Sequence, residues 1–209
     1  MEKNRHYYVA ITGTSGSGKT TVLQILKEIG YVTKDYDKYS IDVIMTSLDV
    51  HLKLQELIGE NIIFNGKLGL KKIGNYFENN REKELLFEKW YQPILGEHIK
   101  NDILEKSYNG IVFFDVPFLD MKKIDKLFQE IWIVKANPKL CCERIRNRNG
   151  YSYEKAYYLV NRSMGSMESD FFNKIVIDNN NSIETLKQQV FIRLNDLGLI
   201  KSGCIFEKK

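Results

Sequence analysis

The sequence predicts a three-layer α/β fold, in which helices cover both faces of a parallel β-sheet. Two observations lead to this prediction. Short apolar runs alternate with longer amphipathic segments, a pattern typical of buried parallel strands that are joined by helices. A glycine-rich loop follows the first apolar run, and loops of this kind bind phosphate groups where a strand gives way to a helix.

The first elements are recognised from composition and spacing. Residues 7–12 are rich in β-forming side chains and end at glycines, so they predict a buried strand. Residues 21–29 carry apolar side chains at helical spacing, and Gly30 is a typical helix stop. Residues 31–34 then predict a second, shorter strand.

The second half of the chain repeats this alternation. Apolar runs predict three more strands, and the segments between and after them have helical periodicity. The predicted strands are 111–114, 131–134 and 174–178, and the predicted helices are 138–148, 153–162 and 183–194.

Length and composition indicate one globular domain over residues 1–209. The chain has 209 residues, against about 150 for a typical domain, so a single domain with an insertion is favoured over two. Hydrophobic residues make up 43% of the chain and charged residues 28%, which excludes a disordered or collagen-like protein. The formal net charge of +4 is too small to indicate a nucleic-acid partner, and none is predicted.

The cysteines and the apolar runs indicate a cytoplasmic protein. Cys141, Cys142 and Cys204 are odd in number and two are adjacent, so they predict neither a disulfide framework nor a metal site. The longest apolar run, 111–114, is far shorter than the ~20 residues that a membrane-spanning helix requires. We therefore expect a reducing compartment and no membrane partner.

A long insertion interrupts the alternation between the second and third strands. A parallel crossover needs only a dozen or more residues, whereas residues 39–106 separate these strands. The insertion has a helical pattern, and we expect no strand within it. Because insertions at strand ends commonly build a second binding surface, the segment 39–106 is predicted to bind the second substrate.

The glycine-rich loop matches the phosphate-binding pattern G-x-x-x-x-G-K-[ST] in full. Its residues and the one after it are the predicted ATP-binding set: Gly13, Thr14, Ser15, Gly16, Ser17, Gly18, Lys19, Thr20 and Thr21. Glycines let the backbone aim successive N–H groups at phosphate oxygens, and the helix that follows adds the positive end of its dipole. Lys19 is expected to reach the terminal phosphates, and the Thr20 hydroxyl to ligate Mg²⁺.

Asp115 is the predicted carboxylate partner for Mg²⁺. It directly follows the apolar strand 111–114, which is where a metal-binding carboxylate lies in phosphate-loop enzymes. The predicted cofactor is therefore Mg²⁺, bound together with ATP through Thr20 and Asp115.

The phosphate loop is compatible with several enzyme classes, of which a small-molecule kinase is favoured. Guanine specificity usually requires Asn-Lys-x-Asp, but residues 173–176 read Asn-Lys-Ile-Val. Residues 115–118 lack the glycine of a GTPase switch, and the chain is short for an ATPase motor.

Two carboxylates are candidates for aligning the hydroxyl that receives the phosphoryl group. Asp35 and Asp37 directly follow the second strand, beside the phosphate loop in a sheet of this type. We expect one of them to act on the acceptor, since positioning dominates phosphoryl transfer, and the other to cap a helix that begins near Lys38.

Two arginines are predicted to stabilise charge during transfer. Arg144 and Arg148 are four residues apart in a helical segment and so share one face, whereas Arg146 points elsewhere. Guanidinium groups suit a polyphosphate because they form several hydrogen bonds at once. The region 138–168 is predicted to be a lid that excludes water when substrate binds.

At this point the chain resembles the dephospho-coenzyme A kinase family over about residues 9–180. Asp35-Tyr36-Asp37 is similar to the family's Asp-Ala-Asp, and residues 115–119 to its Asp-Val-Pro-Leu-Leu. Pro138 with the two arginines resembles its lid, and residues 177–180 resemble its Ile-Asp-Asn-Asn. The resemblance implies a nucleoside-monophosphate-kinase-like sheet of order 2-3-1-4-5 and transfer of phosphate from ATP to the ribose 3′-hydroxyl of dephospho-coenzyme A. It also implies that Asp37 is the base and that Asn179 lies near the adenine of ATP.

The chain departs from the family pattern at positions expected to contact the acceptor. Gln92-Pro93 stands where the family commonly has His-Pro, and Lys71-Lys72 stands where it often has two arginines. Two alternatives therefore stay open: a nucleoside or nucleotide kinase of the same fold, and a non-catalytic ATP-binding protein.

Overall fold

The computed structural model describes residues 6–59, 62–64, 67–116, 121–164 and 173–199. Parts of the predicted features lie outside these residues, namely 117–119 of the motif that begins at Asp115, 165–168 of the lid, 60, 61, 65 and 66 of the insertion, and Cys204.

The described elements alternate as the sequence predicts. The strands are β1 (Tyr7–Gly13), β2 (Val32–Asp35), β3 (Ile63–Phe64), β4 (Lys67–Leu68), β5 (Ile111–Asp115), β6 (Glu130–Lys135) and β7 (Lys174–Asp178). The helices are α1 (Lys19–Ile29), α2 (Tyr36–Thr46), α3 (Leu48–Ile58), α4 (Leu70–Asn79), α5 (Arg81–Lys106), α6 (Pro138–Asn149), α7 (Tyr153–Met164) and α8 (Ile183–Asp196), and a 3₁₀ helix spans Met121–Leu127.

Five parallel strands form the main sheet in the order β2-β5-β1-β6-β7. Numbered by their sequence order within this sheet, the strands run 2-3-1-4-5, so the predicted fold and strand order are confirmed. The central strand β1 pairs with β5 on one side and β6 on the other. The strands that follow β1 are added first on one side of it (β2 and β5) and then on the other (β6 and β7). β1 therefore marks the topological switch point, where α/β proteins of this type bind ligands beyond the carboxyl ends of the strands.

Two apolar cores lie on opposite faces of the sheet because successive strand residues alternate between faces. Tyr8 and Ala10 of β1 belong to the core that includes α5 and the rest of the insertion. Val9 and Ile11 belong to the core formed with α1 and α8. This gives the three layers that the sequence predicts.

The insertion is mainly helical, but the expectation that it contains no strand was wrong. β3 and β4 form an antiparallel pair, with Ile63 opposite Leu68 and Phe64 opposite Lys67. Two residues per strand are too few to show the alternation by which strands are recognised in a sequence. α5 is the longest helix described, 26 residues or about 39 Å at 1.5 Å per residue, and it contains Pro93.

Within the described residues, no helix is both long and apolar enough to span a membrane.

Candidate active site

The phosphate loop lies between β1 and α1, at the carboxyl edge of the sheet, and two of its glycines are sterically required. Gly16 and Gly18 have φ of 79° and 105°, which side chains rarely adopt. A Cβ on Gly16 would lie 2.5 Å from the carbonyl oxygen of Cys141, and one on Gly18 would lie 2.1 Å from Nδ2 of Asn179. The loop backbone is thus pressed against α6 and the end of β7.

The amino terminus of α1 is suited to an anion. Gly18 precedes the helix and supplies no side-chain hydrogen bond to it, and the first turn contains no acidic residue. The positive end of the helix dipole and the first N–H groups are therefore oriented toward the loop. Thr20 is exposed in this first turn, and Thr21 is partly buried beside it.

Lys19 extends back over the loop that precedes it. Its Nζ donates to the carbonyl oxygen of Gly13 at 2.8 Å and lies 3.5 Å from that of Thr14. The ammonium group is therefore held at the mouth of the loop, where the sequence predicts that it meets the terminal phosphates.

Asn179 and Arg144 hold the loop through hydrogen bonds to backbone oxygens. The Asn179 side chain, 6% exposed, donates to the carbonyl oxygen of Ser17 at 2.7 Å. Arg144 donates to the carbonyl oxygen of Asn179 at 2.9 Å and to that of Ser17 at 3.4 Å. Arg144 thus contacts the loop, and the Asn179 amide nitrogen has a loop partner; the roles of Arg144 toward ATP and of Asn179 near adenine stay predictions.

Arg148 lies farther out. It is exposed near the carboxyl end of α6, and its Nε donates to Oδ1 of the neighbouring Asn149 at 2.9 Å. The shared helix face brings Arg144, but not Arg148, into contact with the loop in this structure.

Three aspartates meet beside Lys19. Asp35 and Asp115 are register partners on β2 and β5, and Asp37 follows in the first turn of α2. Asp35 accepts a hydrogen bond from the backbone N–H of Lys38 at 2.8 Å and thereby caps α2, which begins at Tyr36. One carboxylate of the pair therefore caps a helix, as expected, and it is Asp35.

The pKa values of Asp115 and Asp37 are both raised. The pKa of Asp115 is raised from 3.8 to about 7, chiefly by burial and then by the nearby charge of Asp37, whose effect exceeds the lowering effect of the Lys19 ammonium. Although water reaches the Asp37 side chain, desolvation by the surrounding protein also raises the pKa of Asp37, against the lowering effect of Lys19. The negative charges of Asp115 and Asp37 therefore repel each other, and a further positive charge between them would reduce this repulsion.

The donor set fits Mg²⁺ bound together with a nucleotide. Asp115 is 4% exposed and its Oδ1 has no hydrogen-bond partner, so an oxygen ligand is available at the carboxyl edge of the sheet. No cluster of three or more His, Cys, Asp or Glu suited to a metal occurs among the described residues. Mg²⁺ commonly takes only one or two protein oxygens, with phosphates and water as its other ligands. The two predicted ligands, Thr20 and Asp115, would therefore be enough in number, and their role stays a prediction.

α7 joins the loop to the insertion. The Ser163 hydroxyl oxygen accepts from the backbone N–H of Ser15 at 2.8 Å. On the other side, Arg162 contacts Glu88 at 2.7 Å and Glu84 at 3.1 Å, and Tyr158 donates to Glu84. No sequence signal marked Ser163 or Glu84, because their partners lie far away in the chain.

Two cavities flank α7. One of about 280 Å³ lies against the loop, with Thr14, Ala136, Pro138 and Val160 in its wall. The other, of about 680 Å³, lies between α7 and the insertion. Its apolar wall includes Ile44, Leu54, Phe77 and Phe87.

The comparisons with known proteins agree with this geometry. The family model of dephospho-CoA kinase matches residues 7–185. The chain is 31% identical over 185 residues to the dephospho-CoA kinase of Carboxydothermus hydrogenoformans, covering 87% of this chain and 90% of that protein. It is 30% identical over 192 residues to that of Streptococcus thermophilus, with coverage of 90% and 97%.

A solved structure shares the fold. The dephospho-CoA kinase from Campylobacter jejuni superposes with a TM-score of 0.58 at 19% identity, over 92% of this chain and 97% of that one. Because the match of the family model extends over most of the chain and includes the loop, the aspartates and Arg144, this protein belongs to the dephospho-CoA kinase family.

Proposed function

We propose that this chain performs the family's reaction, ATP-dependent phosphorylation of dephospho-coenzyme A to coenzyme A, with Asp37 as the group that orients and deprotonates the acceptor hydroxyl. The observation that carries the proposal is that two neighbouring carboxylates, Asp35 and Asp37, have different surroundings. Asp35 is used as a helix cap, whereas Asp37 lies free beside Lys19 and Asp115.

On the donor side, the loop and two cations would hold the phosphates of ATP. The residues of the loop and the start of α1 surround the anion, and Lys19 would contact its terminal phosphates. Arg144, already at the loop, would stabilise the charge that develops during transfer. Arg148 lies one turn farther along the same helix and would contact the phosphates only when the lid region 138–168 closes.

Thr20 and Asp115 would hold Mg²⁺. Bound there, the ion would neutralise the phosphate oxygens and relieve the repulsion between Asp115 and Asp37. The unpartnered Oδ1 of Asp115 supports this role.

On the acceptor side, Asp37 would accept the proton of the ribose 3′-hydroxyl. The 3′-oxygen forms a bond to the terminal phosphorus while the bond from that phosphorus to the bridging oxygen breaks, and ADP leaves. The raised pKa of Asp37 brings this carboxylate nearer to neutral pH, where a general base is most effective.

The cavity of about 680 Å³ would take the part of dephospho-coenzyme A beyond the ribose. It is within the range of ~300–1,000 Å³ of small-molecule sites. Ile44 in its wall is on α2, seven residues after Asp37 or about 10 Å along the helix axis. The segment 39–106 would thus bind the acceptor, with α7 as its cover. A cytoplasmic location fits the buried, unpaired thiols of Cys141 and Cys142.

The test is ADP release with Mg²⁺ and ATP against dephospho-coenzyme A and a panel of nucleosides and nucleoside monophosphates. We expect turnover with dephospho-coenzyme A and a 3′-phosphorylated product. Asp37→Asn should lower kcat by about 10²–10⁴-fold with little change in the KM for ATP. Asp35→Asn is the matched control, because asparagine also caps helices.

Two results would overturn the proposal. Turnover with a nucleoside or nucleotide alone would keep the donor site but replace the acceptor. ATP binding without turnover on any acceptor would indicate a non-catalytic protein.

A further inference from the structure

Tyr36 is the buried residue between two solvent-accessible aspartates. Its side chain is 3% exposed, whereas Asp35 and Asp37 both reach solvent. The ring stacks flat on Phe114, with centroids 5.7 Å apart and planes 7° from parallel. Phe114 precedes Asp115 on β5, so this ring pair ties the first turn of α2 to the strand that carries the predicted metal ligand.

The Tyr36 hydroxyl reaches the insertion. It donates a hydrogen bond to Oδ2 of Asp102 on α5 at 2.8 Å. The same carboxylate oxygen accepts from the Tyr108 hydroxyl at 3.2 Å, and the other oxygen pairs with Lys106. Burial raises the pKa of Asp102, but the hydrogen bonds from Lys106 and Tyr36 together lower it by more, so the net pKa is below its usual value. Asp102 is therefore ionised and accepts hydrogen bonds at neutral pH.

Tyr36 is the buried side chain of the first turn of α2, in which Asp37 and Lys38 are exposed. The next turn is also attached to α5, since the Tyr91 hydroxyl donates to the backbone oxygen of Ser40 at 2.9 Å. Tyr36 and Val43 are the buried residues of this helix, and Val43 lies two turns later. The cap by Asp35 is a bond to Lys38 of the same turn, and through Asp35 the start of the helix continues directly from β2 of the sheet. Because adjacent helix residues are about 100° apart, fixing the Tyr36 side chain also fixes the direction of Asp37.

We propose that Tyr36 is a positioning residue: its hydrogen bond to Asp102 and its stacking on Phe114 hold the carboxylate of Asp37 at the acceptor hydroxyl. This inference rests on the role proposed above for Asp37. It also means that α5, whose Phe87 lines the larger cavity, sets the position of the base relative to the acceptor that occupies this cavity.

The experiment compares steady-state kinetics of the wild type, Tyr36→Phe and Tyr108→Phe. Tyr36→Phe keeps the stacking and removes the hydrogen bond, while Asp102 keeps its other partners. We expect kcat with dephospho-coenzyme A to fall on the order of 10–100-fold, the cost of a small misplacement, with the KM for ATP unchanged. Tyr108→Phe removes the other phenolic donor to Asp102 without touching α2, and its kcat should stay within about twofold of wild type.

A double-mutant cycle separates positioning from a general structural effect. In the Asp37→Asn background, Tyr36→Phe should cause no further loss, because Tyr36 acts only through Asp37. Asp102→Ala should reproduce the loss from the α5 side, and Asp102→Asn, whose amide oxygen still accepts, should retain most of the turnover. If Tyr36→Phe folds poorly, the kcat values of Asp102→Ala and Asp102→Asn test the positioning role in its place.

The outcomes are distinguishable from those of the proposed function. Full turnover of Asp37→Asn would overturn the role of Asp37 and this inference with it. Unchanged kcat in Tyr36→Phe, or the same loss with and without Asp37, would overturn the positioning role alone.

Discussion

Asp115 should make the metal-free protein less stable as the pH rises, and Asp115→Asn should remove this effect. The native pKa is raised from 3.8 to about 7, so between these values the native protein binds more protons than the unfolded chain. The free energy of unfolding therefore falls with increasing pH in this window. Three pKa units at 1.36 kcal/mol each give an upper limit of about 4 kcal/mol for the loss at pH 8.

The assay is denaturant unfolding of wild type and Asp115→Asn at pH 5 and pH 8, without divalent cations. The variant should be more stable than wild type at pH 8, and the difference should fall to less than half of that value at pH 5, about 1.6 of the about 4 kcal/mol, because the unfolded chain has already released this proton there whereas the native protein has not. Asp42→Asn, an exposed change on α2, is the control and should alter stability by less than about 0.5 kcal/mol at either pH. An Asp115→Asn variant that is less stable at pH 8, or equally shifted at both pH values, would refute the reasoning.

Two further predictions concern the loop and α6. Arg144→Ala should weaken ATP binding by about 1.5–3 kcal/mol in a calorimetric titration, because the Arg144 guanidinium already contacts the loop. Arg148 is exposed, and Arg148→Ala should lower kcat but leave the ATP affinity within about twofold of wild type. Equal losses of ATP affinity in the two variants would contradict this prediction. Gly16→Ala should abolish ATP binding and lower Tm, because its Cβ would lie 2.5 Å from the Cys141 carbonyl oxygen in addition to the strain at φ 79°. Gly110→Ala, with φ 78° and open space around its Cβ, should cost only the strain of about 1–2 kcal/mol; an equal loss of stability in both variants would rule out the steric explanation.

The three central strands, β1, β5 and β6, could be predicted because strands buried on both faces are continuous apolar runs, such as Ile111–Asp115. The glycine loop was recognised because its residue types are fixed by backbone geometry and phosphate chemistry together. The hairpin of β3 and β4 was missed because two-residue strands have no periodicity.

Contacts between distant segments limited the prediction of the site. Helical spacing correctly puts Arg144 and Arg148 on one face, but it does not reveal that the loop reaches only as far as Arg144. Tyr36 gave no local signal, since Asp102 is 66 residues away in the chain. The choice between Asp35 and Asp37 likewise needed the observed cap on α2.

The walls of the phosphate loop have a consequence for how the chain becomes able to bind nucleotide. The loop lies near the start of the sequence, but Gly16 packs on Cys141 and Gly18 on Asn179, and the latter also donates to Ser17. The loop conformation is therefore imposed by segments more than a hundred residues downstream. A growing chain that ends before β7 carries the complete motif and α6 but lacks Asn179, so its ATP affinity should be lower than that of the full chain. Conversely, bound ATP should stabilise the junction of all these segments together.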